Sequence, residues 1–266
     1  MIRTLRIAGV ACLIAFLAGC SSAPKTPAPQ PAEPPPPPKQ VEVSPKERAQ
    51  LHVDLGAGYY ERGQMDVALD ELNEAVKLDP NNAKAYNIYG LIYSLLDENA
   101  KAEQNFQKAM QLAPQDSDIH HNWGWYLCTH GRAREAIPEF EQAIRDPLYK
   151  TPEIALVNAG RCSVSIGDIA NAEVYFKRAL AASPNNPNAA YGLALIAYKA
   201  SRFDQARGWM RPAVQQANPT PEALYLGVCV ERKLGDRQAE LSYASQLRNR
   251  YPNADETKAI VTGPCE

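Results

Sequence analysis

The sequence predicts an all-α superhelix of six helix-turn-helix repeats with a short C-terminal cap, and three recurring positions predict it. A small residue recurs at Gly56, Gly90, Gly124, Gly160, Ala194 and Gly227. Alanine follows it in register at Ala68, Ala102, Ala136, Ala172, Ala206 and Ala239, then again in the first five repeats at Ala75, Ala109, Ala143, Ala179 and Ala213. Between those alanines sits one bulky apolar residue: Leu72, Phe106, Phe140, Phe176, Met210 or Tyr243.

Two antiparallel helices approach closely only where small residues face each other, and the bulky residue of the second helix fills the space left between repeats. Gly63, Gly131, Gly167 and Gly235 suit the tight turns inside the pairs, because glycine adopts positive φ without steric cost. Pro80, Pro114 and Pro184 close repeats one, two and four, since proline supplies no N–H to continue a helix. This pattern resembles the tetratricopeptide (TPR) motif, over about residues 49–252. The repeats are read as 49–82, 83–116, 117–150, 153–186, 187–219 and 220–252, with 253–266 as a tail or cap.

The N-terminal segment is of another kind. Arg3 and Arg6 precede an apolar run from Ile7 to Phe16, too short to span a bilayer, and then Leu17-Ala18-Gly19-Cys20. The tetrad resembles the bacterial lipobox, which implies a signal peptide over 1–19 and acyl chains, palmitate among them, on Cys20. Ser21, in place of the aspartate associated with inner-membrane retention, implies an outer-membrane lipoprotein facing the periplasm. One acyl chain binds a membrane only marginally, so several on one cysteine are what makes an anchor durable. Residues 20–44 then read as the lipidated cysteine and a linker. Ten of the 22 prolines fall between Pro24 and Pro45, and a polyproline II spacer of this length reaches roughly 70 Å. Ser44-Pro45-Lys46-Glu47 announces the first helix with an N-cap serine, proline at N1 and glutamate at N3.

With 28 basic and 30 acidic residues and no basic run in the repeats, nothing calls for nucleic acid. No phosphate loop, zinc-protease motif or nucleophile elbow is present, so the reading is a protein that is not an enzyme, with no cofactor and no metal. His52, His120, His121 and His130 are the only histidines, and His121 with Cys128 makes at best a weak two-ligand pair. Asp70, Glu71 and Glu74 read as a solvated helix face.

With Cys12 in the signal peptide and Cys20 acylated, Cys128, Cys162, Cys229 and Cys265 remain. In an oxidising compartment such cysteines pair. Cys128 and Cys162 fall on the first helices of adjacent repeats, so a disulfide between them is preferred over buried free thiols. Cys229 with Cys265 would fix the tail and is left open.

In a TPR superhelix the first helices line the concave face. The glycine register places Val53, Ala57 and Tyr60 there, then Asn87, Leu91 and Ser94, His121 and Trp125, Val157 and Arg161, Tyr191, Leu195 and Tyr198, Leu224 and Val228. Such a face is largely apolar and aromatic and suits an amphipathic or extended hydrophobic segment of a partner, although some of these residues are expected to pack between repeats instead. Three departures are expected: a kink at Pro212, a bend where Asp146–Lys150 adds two residues, and Gln246 where alanine is usual.

The layout, with the stretches Tyr86–Leu91, His121–Cys128 and Asn158–Cys162, resembles the PilF/PilW family of type IV pilus biogenesis lipoproteins. The resemblance implies a pilotin: a protein that binds the pilus secretin, localises it to the outer membrane and promotes its multimerisation, together with other pilus assembly proteins. It favours the N-terminal repeats, hence Val53, Ala57, Tyr60, Asn87 and Leu91, for the contact. The rival readings are a TPR lipoprotein scaffold for peptidoglycan or outer-membrane protein assembly and a purely structural pilus-stabilising lipoprotein.

Overall fold

A computed structural model describes residues 43–262 and residue 265. The signal peptide, Cys20 and the linker as far as residue 42 lie outside the described residues. Thirteen helices occupy the described chain: α1 (Pro45–Glu61), α2 (Met65–Leu78), α3 (Ala83–Leu95), α4 (Asn99–Leu112), α5 (Ser117–Thr129), α6 (Ala133–Arg145), α7 (Pro152–Ser165), α8 (Ile169–Ala182), α9 (Pro187–Lys199), α10 (Phe203–Val214), α11 (Pro221–Leu234), α12 (Arg237–Arg250) and α13 (Asp255–Thr262). They form six consecutive antiparallel pairs in the TPR arrangement, and α13 packs on α11 and α12.

Local chemistry sets the helix ends. The Ser44 hydroxyl accepts from the Glu47 N–H at 3.2 Å while the Glu47 carboxylate accepts from the Ser44 N–H at 2.8 Å, closing the capping box. Asn82, Asp116, Asn186 and Thr220 cap α3, α5, α9 and α11 through their side chains. The turn inside each pair needs one left-handed residue. Gly63, Gly131, Gly167 and Gly235 supply it, whereas Asp97 (φ 56°) and Ser201 (φ 58°) hold it in repeats two and five against their own preference.

The small-against-bulky rule is visible at the crossings. A β-carbon added to Gly90 would lie 2.8 Å from the Phe106 ring, and one added to Gly160 would lie 2.7 Å from that of Phe176. Leu72, Phe106, Phe140 and Phe176 are buried along with the register alanines of the first five repeats, giving a core that runs along the stack between the two helix layers.

Two of the expected irregular positions have defined local structure. Pro212 lies in the last turn of α10, which stops at Val214. The proline thus lies inside the helix, near its end, and α10 runs 12 residues against 14 in α8 and α12. At the junction of repeats three and four, the Asp146 carboxylate accepts from the Leu148 N–H at 2.8 Å, and Tyr149 turns inward and is buried.

Both remaining cysteine pairs are joined. Cys128–Cys162 ties α5 to α7, and Cys229–Cys265 ties the tail to α11. The buried Tyr198 hydroxyl donates to the Cys265 carbonyl at 2.9 Å, so the tail also meets repeat five.

Candidate partner-binding groove

First helices of successive repeats touch one another (α1 with α3, α3 with α5, α5 with α7, α7 with α9, α9 with α11), while second helices of successive repeats do not. In a curved stack the elements that meet lie on the inner side, so the first helices form the concave wall.

On that wall Ala57, Tyr60, Leu91, His121, Trp125, Tyr191 and Leu195 are half-buried and Arg161 is exposed. Seven of the residues expected there are not. Val53 is 2% exposed and Asn87 7%, so both belong to the packing between helices. Ser94, Val157, Tyr198, Leu224 and Val228 are buried as well. Their spacing follows the helical period, but neighbouring helices enclose them. The exposed apolar strip is therefore Ala57, Tyr60, Leu91 and Trp125 in the N-terminal half and Tyr191 and Leu195 further along.

His121 is part of the wall's construction. Its Nδ1 faces the Tyr149 hydroxyl, its Nε2 accepts from the Asn158 amide at 3.2 Å, and its ring meets Phe140 edge-on with centroids 5.9 Å apart. Burial pulls its pKa down to about 4, so it is neutral at physiological pH. It joins α5 to α7 beside the Cys128–Cys162 disulfide, and Cys128 is not free to bind a metal with it.

His52 and Glu71, both outside the wall, show a device that spacing did not reveal. His52 Nδ1 meets Glu71 at 2.7 Å, and in the same register of repeat three His120 Nδ1 meets Glu139 at 2.6 Å. Glu71 is thus bonded across its repeat and is not simply solvated. Asp70 and Glu74 are exposed, and Glu74 pairs with Lys77.

Where repeats four and five meet, the wall opens into a pocket of about 470 Å³ bordered by Arg161, Tyr191, Gly192, Leu195 and Lys199 and floored in part by Phe176. Among the described residues no group of three or more His, Cys, Asp or Glu gathers as for a metal ion. The repeat fold points to a non-catalytic protein.

The comparisons with known proteins agree with this architecture. Models described as tetratricopeptide or TPR repeats match residues 56–97, 83–116, 121–187 and 165–226. The crystal structure of PilW, described as a widely conserved type IV pilus biogenesis factor, is 31% identical, with a TM-score of 0.73 over 80% of this chain and 98% of that one. The chain belongs to the PilF/PilW family. The type IV pilus assembly protein PilF of Pseudomonas aeruginosa is 27% identical over 208 residues, which are 78% of this chain and 82% of PilF. The Pseudomonas aeruginosa PilF structure superposes with a TM-score of 0.75 at 26% identity, covering 82% of this chain and 98% of that one. This is therefore a TPR protein of type IV pilus biogenesis, and the PilF/PilW relationship covers about four fifths of the chain rather than a single repeat.

Proposed function

We propose that the protein is an outer-membrane lipoprotein, held through acyl chains on Cys20 and facing the periplasm, that binds the type IV pilus secretin and promotes its localisation and multimerisation. Membership of the PilF/PilW family carries this reading, and the lipobox at Leu17–Cys20 supports the anchor. The apolar strip of Ala57, Tyr60, Leu91 and Trp125 suits a hydrophobic segment of a secretin monomer that would otherwise aggregate. Anchoring restricts monomers to a surface and raises their effective concentration for ring assembly.

The test is deletion of the gene followed by fractionation and by gel assay of heat-resistant secretin multimers. Complementation uses wild type, Cys20→Ala, and Leu91→Asp combined with Trp125→Asp. Multimers should disappear or lie in the wrong membrane on deletion, return with wild type, and fail to return with the double groove variant. Multimers in the correct membrane without the gene would rule the pilotin reading out.

A further inference from the structure

The pocket between repeats four and five has features that a general apolar groove does not explain. Two residues before the crossing position, the six first helices carry Asp54, Ile88, Asn122, Asn158, Gly192 and Tyr225. Five of the six therefore project a polar or apolar side chain, and repeat five alone has none. A β-carbon on Gly192 would lie 2.5 Å from the Phe176 ring, so that ring lies directly against the α9 backbone. Beside that contact the wall opens over Val164, Phe176, Leu195 and Ile196. At about 470 Å³ the opening is within the size range of pockets that bury a ligand group.

Charge at its rim is uneven. Arg161 and Lys199 are exposed at the rim of the opening, and neither has a hydrogen bond or ion pair among the described residues. Several arginines on the second helices and turns are instead paired with carboxylates: Arg132 with Glu103 and Glu135, Arg178 with Glu141, Arg202 with Glu173, Arg207 with Glu231. Past Tyr191, Glu222 and Glu256 border the neighbouring part of the wall, which Lys199 also lines. The opening itself has an apolar floor and, as charged residues at its rim, Arg161 and Lys199, which fits a segment with carboxylates beside an apolar side chain.

We infer that this pocket is a second docking site, distinct from the N-terminal strip, for an internal segment of a partner protein in which a large apolar side chain is flanked by acidic residues. The apolar side chain enters over Phe176 and Leu195, and the carboxylates meet Arg161 and Lys199. An internal segment is favoured over a chain end because the wall continues past Tyr191 in both directions, along Asn188 and along Tyr225, and does not close. The inference stands apart from the secretin reading, since it requires only this chain's own surface.

The experiment uses the full chain and short fluorescein-labelled synthetic peptides, read by fluorescence anisotropy. One peptide has phenylalanine and leucine at its centre between aspartates, a second has lysines in place of the aspartates, and a third has serines in place of the apolar pair. The aspartate-flanked peptide should bind, with the other two at least about tenfold weaker, the effect of losing one charge-assisted contact or the apolar anchor. Arg161→Glu with Lys199→Glu, and separately Leu195→Glu, should each weaken it by a similar factor, with melting temperatures near wild type because these side chains are exposed or half-buried. Leu91→Asp should leave the peptide affinity unchanged. Equal binding of the lysine-flanked peptide, full binding by the charge-reversed variant, loss of binding through Leu91→Asp, or no binding by any peptide would overturn the proposal.

Discussion

His120 and His121 are adjacent on α5, and their surroundings shift their pKa values in opposite directions. His120 presents both ring nitrogens to acceptors, Nδ1 to Glu139 at 2.6 Å and Nε2 to the Pro114 carbonyl at 3.1 Å. Burial pushes its pKa down, but the Glu139 carboxylate and the Pro114 carbonyl together outweigh burial and leave it raised. His121 has a tyrosine hydroxyl and an amide as partners, no carboxylate, and a pKa pulled by burial to about 4. One residue of helical rotation separates a site that asks for imidazolium from one that asks for neutral imidazole.

Stability should therefore respond to pH from both sides. The raised His120 contributes fully below its unfolded value of about 6.5, and that contribution is lost as pH rises through its folded value. The depressed His121 contributes fully above about pH 6.5 and loses its contribution as pH falls toward about 4, an effect on the order of 2 kcal/mol once its partial exposure is allowed for. Proton NMR titration should find the His120 midpoint above that of a free histidine and His121 neutral at pH 5. His121→Phe should flatten the pH dependence of the melting temperature between pH 6.5 and 4 relative to wild type. A titration with both histidines near 6.5 would contradict the geometry.

The two disulfides should act locally, because a repeat stack transmits stability mainly to nearest neighbours. Each closes a loop of comparable length, with separations of 34 and 36 residues, and chain entropy assigns such a loop about 4 kcal/mol. Cys265→Ser should raise hydrogen exchange in α13 and at the end of α11, and leave α1 to α4 as they were. Cys162→Ser should loosen α5 and α7 instead. Uniform exchange along the chain in either variant would show that the stack unfolds as a single unit.

The period made the fold legible. Glycine facing a bulky residue is a requirement of close helix crossing, and Gly90 with Phe106 meets it in the structure as the spacing requires. Spacing also gives the side of each helix that faces inward. It does not give how closely the following helix covers that side, and this is why Val53 and Asn87 are buried while Ala57 and Leu91, four residues further on, keep part of their surface. Tyr149 escaped notice for a related reason: it sits in an inter-repeat insertion with no counterpart to align, and its place against His121 is set by tertiary packing. Gly192 was visible in principle, as the one register position without a side chain, but its meaning depended on Phe176 lying against it.

Phe176 packs between two glycine positions, Gly160 of its own repeat and Gly192 of the next, so its removal should empty both sides at once. Phe176→Ala should cost about 3–5 kcal/mol in denaturant unfolding. The loss should be concentrated in repeats four and five, where hydrogen exchange of α7, α8 and α9 would accelerate ahead of α1 and α2. A cost below about 1 kcal/mol would mean that the neighbouring helices collapse onto the vacancy, which packing against two backbones opposes.

Groove function and repeat stability should separate at neighbouring residues of the same wall. Val53 and Leu91 were both expected to face a partner, yet Val53 is enclosed and Leu91 is half-buried. Val53→Asp places an unpaired carboxylate in the first repeat's core and should lower the melting temperature clearly, with loss of α1 and α2 helicity. Leu91→Asp can keep its charge in water, so its melting temperature should stay within a few degrees of wild type while secretin multimer assembly falls. The discriminating measurement is circular dichroism melting beside the multimer assay for both variants. If Leu91→Asp melts as low as Val53→Asp, Leu91 belongs to the core. The partner contact would then have to rest on Tyr60 and Trp125.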